Sequence, residues 1–380
     1  MDIKAAVLNA MGATPPYASS KPLTIENLQL EAPGPGEVLV RIKAAGLCHS
    51  DLSVINGDRP RPMPMALGHE AAGIVEEVGP PEDGAGGPDV KPGDRVVLVF
   101  VPSCGHCEPC AEGRPALCQP GAAANGAGTL LSGARRLRRN DGTPVNHHLG
   151  VSAFADYATV SRRSLVKVDP ELPVEEAALF GCAVLTGVGA VVNTAGVRAG
   201  SAVAVVGLGG VGLAAVLGAA VAGARELIAV DLSEDKLAFA REIGATTTVN
   251  ASEPEAADRI RAATDGGVDY AVELAGSARA LDLAYRITRR GGMTVTAGLP
   301  PPAATMPLAP VSLVGEERTL KGSYIGSAVP SRDIPRYIDL YRRGRLPVDR
   351  LMSGTLKLGE INEGFDRLHE GAAIRQVIVL

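Results

Sequence analysis

The chain has six cysteines, and their spacing divides them into two groups with different chemistry. Cys104, Cys107, Cys110 and Cys118 form a compact C-x2-C-x2-C-x7-C run. Four thiolates close a tetrahedral zinc shell and leave no position for a substrate, so this group reads as a structural metal site. An iron–sulfur cluster is the alternative occupant of such a run; Pro109 and the intervening Gly105 and Glu108 suit a tight zinc lobe. Cys48 and Cys182 lie far apart, with His69 between them in Gly68-His69-Glu70. Two thiolates, one imidazole and an open fourth position make the shell of a catalytic zinc that activates an alcohol oxygen. The expectation is two zinc ions per chain, one structural and one catalytic.

A second constellation points to a cofactor. Gly207-Leu208-Gly209-Gly210-Val211-Gly212 follows the apolar run 201–206 and opens a helical stretch. Asp231 ends the next apolar run, 19 residues beyond Gly212. A bare G-x-G-x-x-G carries little weight in a chain with 46 glycines. Strand, glycines, helix and acid in this order predict a dinucleotide site. Gly207 permits the tight turn, Gly209 lets the backbone approach a pyrophosphate, and Gly212 lets the helix pack on the sheet, with its first amides facing the phosphates. A carboxylate at Asp231 accepts from ribose hydroxyls and repels a 2′-phosphate, which favours NAD over NADP. The other reading makes Asp231 a cap for the helix starting near Ser233. Lys236, one turn into that helix, either reaches the ribose or stays solvated.

These residues need a scaffold of two domains, as expected for 380 residues. With 46% hydrophobic and 21% charged residues the chain is globular. A net charge of -5 gives a nucleic-acid partner no electrostatic support. The run 1–7 reads as a strand without a charged lead, and the longest apolar segment, 211–221, is too short to span a bilayer. Clustered cysteines then favour metal over disulfides. The expectation is a soluble, cytoplasmic enzyme without membrane or nucleic-acid partners.

The first half carries short β-type runs at 37–42, 73–79 and 93–99, cut by Gly and Pro, which predicts a folded-over β domain. From 120 to 149 the pattern dissolves, and this stretch reads as a long surface excursion. Arg135-Arg136-Leu137-Arg138-Arg139 within it reads as a solvated loop, with a phosphate or subunit contact as the alternative. Further on, helical runs at 185–197, 211–222 and 234–243 alternate with strand-like runs at 201–206, 227–230, 269–273 and 293–297. That alternation predicts a doubly wound parallel sheet. After about 324 the chain is expected to return to the first domain, ending in a strand over 376–380.

In its motifs the chain resembles the zinc-dependent medium-chain alcohol dehydrogenases, in their long-loop, liver-type branch. The likeness runs end to end. It is carried by Gly46-Leu47-Cys48-His49-Ser50-Asp51, Gly68-His69-Glu70-Ala71-Ala72-Gly73, the four-cysteine lobe, Gly181-Cys182, the glycine fingerprint and Ile361-Asn362-Glu363-Gly364-Phe365. The resemblance implies a GroES-like β domain over 1–183 and 325–380 that holds both zincs, with a Rossmann NAD-binding domain over 184–324.

The resemblance also implies roles. Cys48, His69 and Cys182 look like the catalytic ligands, Asp51 like the carboxylate that orients His69, and Glu70 like a transient ligand behind the metal. Ser50 resembles the group that takes the alcohol proton. His49 and Arg375 resemble the residues that meet the NAD pyrophosphate, and Thr186 falls near the nicotinamide; a merely packed side chain is the other reading of His49. Ser53 stands where many relatives carry a histidine that completes a proton relay, so the relay is expected to be shortened, with water or His49 finishing it. Phe100 and Leu149 fall on pocket walls. Arg59 and His148 stand where relatives often carry apolar side chains; they predict a pocket mouth for a polar or anionic group, or two side chains turned to solvent.

The implied activity is hydride transfer between NAD and a primary alcohol or aldehyde. The alternative is a thiol-adduct, glutathione-type formaldehyde dehydrogenase, which needs positive residues at the pocket rim, here only Arg59 and the 135–139 run. A non-catalytic NAD-binding protein is the remote third reading. The long loop implies a homodimer.

Overall fold

A computed structural model of the chain describes residues 1–82 and 87–380. They form two compact units. One holds Met1–Cys182, Val329–Ile338 and Val348–Leu380, the other Ala183–Ala328 and Asp339–Pro347.

The first unit is built from β-structure. Glu37–Gly46 is buried along most of its length and pairs antiparallel with Ala71–Val78, Tyr157–Ser161 and Arg375–Val379. These strands belong to a seven-stranded sheet whose other members are Arg95–Leu98, Leu165–Lys167 and Met352–Leu356. Beside it lies a closed barrel, ordered Asp2–Leu8, Leu23–Leu30, Leu137–Arg138, Pro144–His147 and Met65–Ala66. Ile3, Val7, Leu28, Leu30, Leu137 and Val145 fill its interior. Closure leaves no unpaired edge.

The barrel corrects the reading of 120–149 as a surface excursion. That stretch supplies the helix Gln119–Ala127 and two barrel strands, and Leu130, Leu137, Val145 and Leu149 are buried. Strands of two and four residues are too short to show a period of two against a background of Gly, Ala and Arg. The arginine run is not a solvated loop either. Arg136 Nε lies 2.8 Å from Glu37 Oε2, Arg138 Nε 2.6 Å from Glu31 Oε1, and Arg139 Nε 2.8 Å from Glu26 Oε2. Arg135 Nε donates to Asn146 Oδ1 at 2.8 Å.

The second unit carries a six-stranded, wholly parallel sheet, ordered Thr247–Asn250, Glu226–Asp231, Ala202–Val206, Val268–Glu273, Thr288–Thr296 and Thr319–Gly322. Numbered along the chain this is the doubly wound order 3-2-1-4-5-6. Ala202–Val206 is buried at every residue, as its unbroken apolar run demands at the centre of a covered sheet. The helix expected over 185–197 begins earlier, as Ala183–Gly189, and continues as a π-helical stretch over Ala190–Ala195. Among the described residues no helix is long and apolar enough to cross a membrane.

Candidate active site

Cys48 caps the helix His49–Ile55, immediately after the central strand Glu37–Gly46. His69 and Glu70 lie in the link between Met65–Ala66 and Ala71–Val78. Gly68 before them has φ +95°, and a Cβ there would sit 2.5 Å from Phe154 N, so only glycine fits. Cys182 follows the helix Val174–Leu179. The chain thus brings Cys48, His69 and Cys182 together: their ligand atoms lie within 4.8 Å of one another, all buried.

The imidazole is aimed by its neighbours. His69 Nδ1 lies 3.1 Å from Asp51 Oδ1, which also accepts the Gly68 N–H at 3.1 Å. A proton on Nδ1 leaves the lone pair on Nε2, and that buried atom has no partner among the described residues. An unpaired buried nitrogen is costly. A zinc ion between it and two thiols removes the cost, so the donor set fits the metal. Phe100 packs edge-on against His69, with ring centroids 5.2 Å apart.

The ionisable groups of the cluster shift one another strongly. A hydrogen bond from Cys182 holds the Cys48 thiol well below its usual range, helped by Arg375 and His69, and Cys182 is raised in turn. Burial works against a charge on His69, yet Asp51 and Cys48 outweigh it and raise its pKa. Burial pushes Glu70 up to about 7 against the pull of Arg375. Arg375 is itself buried; its Nη1 donates to Leu47 O at 2.8 Å and lies 3.4 Å from Glu70 Oε2, while Nε has no hydrogen-bond partner among the described residues.

The remaining expected residues of this unit are spread around the cluster's helix. His49 is exposed and Ser50 half-buried on His49–Ile55. Ser53 Oγ donates to His49 O at 2.8 Å, so its hydroxyl is committed to the helix backbone. Arg59 is half-buried, its N–H bound to Ser53 O. His148 contradicts both readings given to it. It is 1% exposed, facing neither a pocket mouth nor solvent, with Nδ1 3.0 Å from Asp51 Oδ1. Nothing in local spacing could have revealed this. The parallel register of Pro144–His147 against Met65–Ala66 delivers it there.

The four lobe cysteines also converge, with sulfurs within 4.8 Å. Backbone N–H groups of Cys104, Cys107 and Gly121 point at lobe sulfurs, at 3.1, 3.3 and 3.4 Å.

In the second unit the glycine turn is sterically demanding at two positions. Gly207 has φ +92°, and a Cβ on Gly212 would sit 1.8 Å from Gly207 O. Gly209 stands at the N-cap of the helix Gly210–Val221, and no atom of the described residues lies within 4 Å of where its Cβ would sit, so the turn fits the close approach of a phosphate. Asp231 Oδ2 accepts the Leu208 N–H at 2.6 Å, and Oδ1 accepts those of Leu232 and Ser233 at 2.8 and 3.0 Å. The cap of the next helix is Ser233, which accepts from Lys236 N, so capping is not the task of Asp231. Gly207 and Asp231 line a cavity of about 280 Å³ with Val206, Val230, Ala275 and Ser277. Lys236 is half-buried, and Thr186 is buried in Ala183–Gly189.

Comparison with known proteins agrees with this geometry. Residues 34–170 match the alcohol dehydrogenase GroES-like domain, and residues 210–343 the zinc-binding dehydrogenase family. The alcohol dehydrogenase class-3 of Cereibacter sphaeroides is 38% identical over 371 residues, 95% of this chain and 97% of that protein. The chain belongs to the zinc-dependent medium-chain alcohol dehydrogenases. Further members of that family are similar throughout. The S-(hydroxymethyl)glutathione dehydrogenase of Paracoccus denitrificans is 37% identical, covering 95% of this chain and 97% of its own. The benzyl alcohol dehydrogenase of Acinetobacter calcoaceticus superposes with a TM-score of 0.91 at 33% identity, covering 100% of this chain and 99% of its own. As a zinc-dependent alcohol dehydrogenase, the protein acts on a small-molecule substrate with zinc and a nicotinamide cofactor.

Proposed function

We propose that the enzyme transfers a hydride between NAD and a primary alcohol or aldehyde, with Cys48, His69 and Cys182 holding the catalytic zinc. The lobe of Cys104, Cys107, Cys110 and Cys118 holds a second, structural zinc. The observation that carries this reading is His69 Nε2, buried beside two buried thiols and without a partner among the described residues. Zinc in that shell supplies Lewis acidity toward an alcohol or carbonyl oxygen. Asp51 fixes the tautomer of His69. Ser50 takes the hydroxyl proton; with Ser53 bound to His49 O, the proton leaves through water or His49. Glu70, poised near neutrality by burial, stands behind the cluster as a transient ligand.

Asp231 favours NAD, because its carboxylate ends the second strand of the sheet where a 2′-phosphate would be repelled. Lys236 reaches the ribose. His49 and the donors of Arg375 serve the pyrophosphate, and Thr186 the nicotinamide. Phe100 and Leu149 give an apolar wall suited to aliphatic and benzylic alcohols. The glutathione-type reading is favoured by the relative named for it, yet three of the arginines available to an anionic adduct, Arg136, Arg138 and Arg139, are paired with Glu37, Glu31 and Glu26. Assembly as a homodimer is supported by the sheet-edge strand Thr319–Gly322 and the neighbouring helix Pro310–Glu316, whose Val311 and Val314 are 76% and 80% exposed.

NADH formation decides between the readings. Benzyl alcohol should be oxidised with NAD at a kcat/KM about tenfold or more above that for formaldehyde plus glutathione. Formaldehyde oxidation that appears only with the thiol, without turnover of simple alcohols, would transfer the enzyme to the glutathione-dependent class.

A further inference from the structure

His148 is a buried imidazole outside the hydride-transfer machinery, and the fold fixes its position with care. Pairing of Pro144–His147 with Met65–Ala66 sets His147 opposite Ala66, so His148 leaves the strand beside Leu67, Gly68 and His69. Ser152 locks it there: Oγ accepts the His148 N–H at 2.9 Å and donates to Ala66 O at 2.8 Å. The next residue, Leu149, has φ +52°, a left-handed conformation that a branched side chain adopts only when its surroundings impose it. The ring stands edge-on to His69, centroids 5.5 Å apart and planes at 88°. Its Nδ1 is 3.0 Å from Asp51 Oδ1, at hydrogen-bond distance though off the best donor line, and has no better partner among the described residues. Asp51 Oδ2 is equally without a well-aligned donor. A carboxylate offers about four acceptor sites, enough for two imidazole N–H groups and the Gly68 amide.

We propose that His148 is a positioning residue for the catalytic zinc: its Nδ1–H grips Asp51, the carboxylate that aims His69 at the metal. The inference rests on the reading of Cys48, His69 and Cys182 as zinc ligands. Held by Gly68 and His69 alone, the carboxylate turns about its Cβ–Cγ bond and lets the His69 ring follow. A third donor, just past the barrel strand Pro144–His147, opposes that rotation. His148 thereby acts through Asp51 and His69 and touches neither substrate nor cofactor. Groups that orient metal ligands change metal affinity about 10–100-fold.

The test uses the zinc-loaded enzyme and its cobalt(II)-substituted form. His148→Phe keeps the ring volume and removes the donor; His148→Asn returns an N–H close to the place of Nδ1. Zinc release to a chromogenic chelator should show a four-cysteine phase unchanged in both variants, which also reports an intact fold. The catalytic-site phase should be about tenfold faster in His148→Phe and within about twofold of wild type in His148→Asn. The cobalt d–d bands should shift in His148→Phe alone. A catalytic-site phase and spectrum unmoved in His148→Phe overturn the proposal. So does an Asn variant as damaged as the Phe variant, which makes the effect one of packing. Because Asp51, His69 and His148 also lie within 4.8 Å of one another, loss of a whole metal equivalent would make His148 a ligand and overturn its positioning role. His69→Gln separates the parent reading: cobalt bands that survive it refute the ligand assignment, whereas bands lost there but unmoved in His148→Phe refute only the role of His148.

Discussion

His69 and His147 are both fully buried, and their surroundings drive them in opposite directions. Asp51 and Cys48 raise the pKa of His69 despite burial. Burial, then Arg135 and Arg136, push His147 down to about 3, and its Nε2 accepts the Arg136 N–H at 3.0 Å. The folded value lies below the ordinary 6.5, so neutral His147 stabilises the fold above pH 6.5, and this is lost as pH falls toward about 3. Each pH unit in that window costs up to about 1.4 kcal/mol. His147→Gln keeps an acceptor and removes the titration. Urea midpoints between pH 6.5 and pH 4 should therefore fall more steeply for wild type than for His147→Gln; parallel slopes contradict the assignment.

At the scale of elements, short strands join the barrel through charge as much as through apolar packing. Glu37 is 2% exposed and takes Arg136 Nε at 2.8 Å, Ser132 Oγ at 2.6 Å and the Gly34 N–H at 2.8 Å. Glu37→Ala leaves the half-buried Arg136 guanidinium with only the longer contact to Glu31 Oε2, at 3.4 Å, strips the Ser132 hydroxyl and the Gly34 N–H of their acceptor, and should cost about 3 kcal/mol in denaturant unfolding. A change within about 0.5 kcal/mol would show that Arg136 escapes to water. These strands were the part of the fold hidden from sequence. Leu137–Arg138 is two residues long, and its partners lie more than a hundred residues upstream or across a turn, so neither period nor composition marks it. The parallel sheet was legible because the apolar runs in Ala202–Val206 and Glu226–Asp231 are joined by a glycine turn with a fixed steric purpose and the helix Gly210–Val221. The cluster of Cys48, His69 and Cys182 was legible from residue type alone, since few other uses explain such a set. The place of His148 was not, because it depends on a strand register no local pattern encodes.

For the whole molecule, the proposed function assigns metal binding to one unit and cofactor choice to the other. The proposed preference for NAD predicts that Asp231→Ala lowers kcat/KM for NAD and improves the NADP-to-NAD ratio by about tenfold or more, measured by initial rates. An unchanged ratio would remove Asp231 from cofactor choice. The proposed dimer predicts that Val314→Asp, at one of the exposed pair Val311 and Val314, shifts sedimentation equilibrium toward monomer by about tenfold in Kd. A wild type that sediments as a monomer at micromolar concentration contradicts the dimer. The proposed chemistry depends most on the shell around the catalytic metal. Anomalous diffraction at the zinc edge from crystals of the purified enzyme tests it most directly. Two peaks per chain should appear, one among the four lobe sulfurs. The other should lie about 2.3 Å from the sulfurs of Cys48 and Cys182 and about 2.0 Å from His69 Nε2, with a non-protein fourth ligand. A peak bound through His69 Nδ1, or a fourth protein ligand that stays when substrate binds, would contradict it.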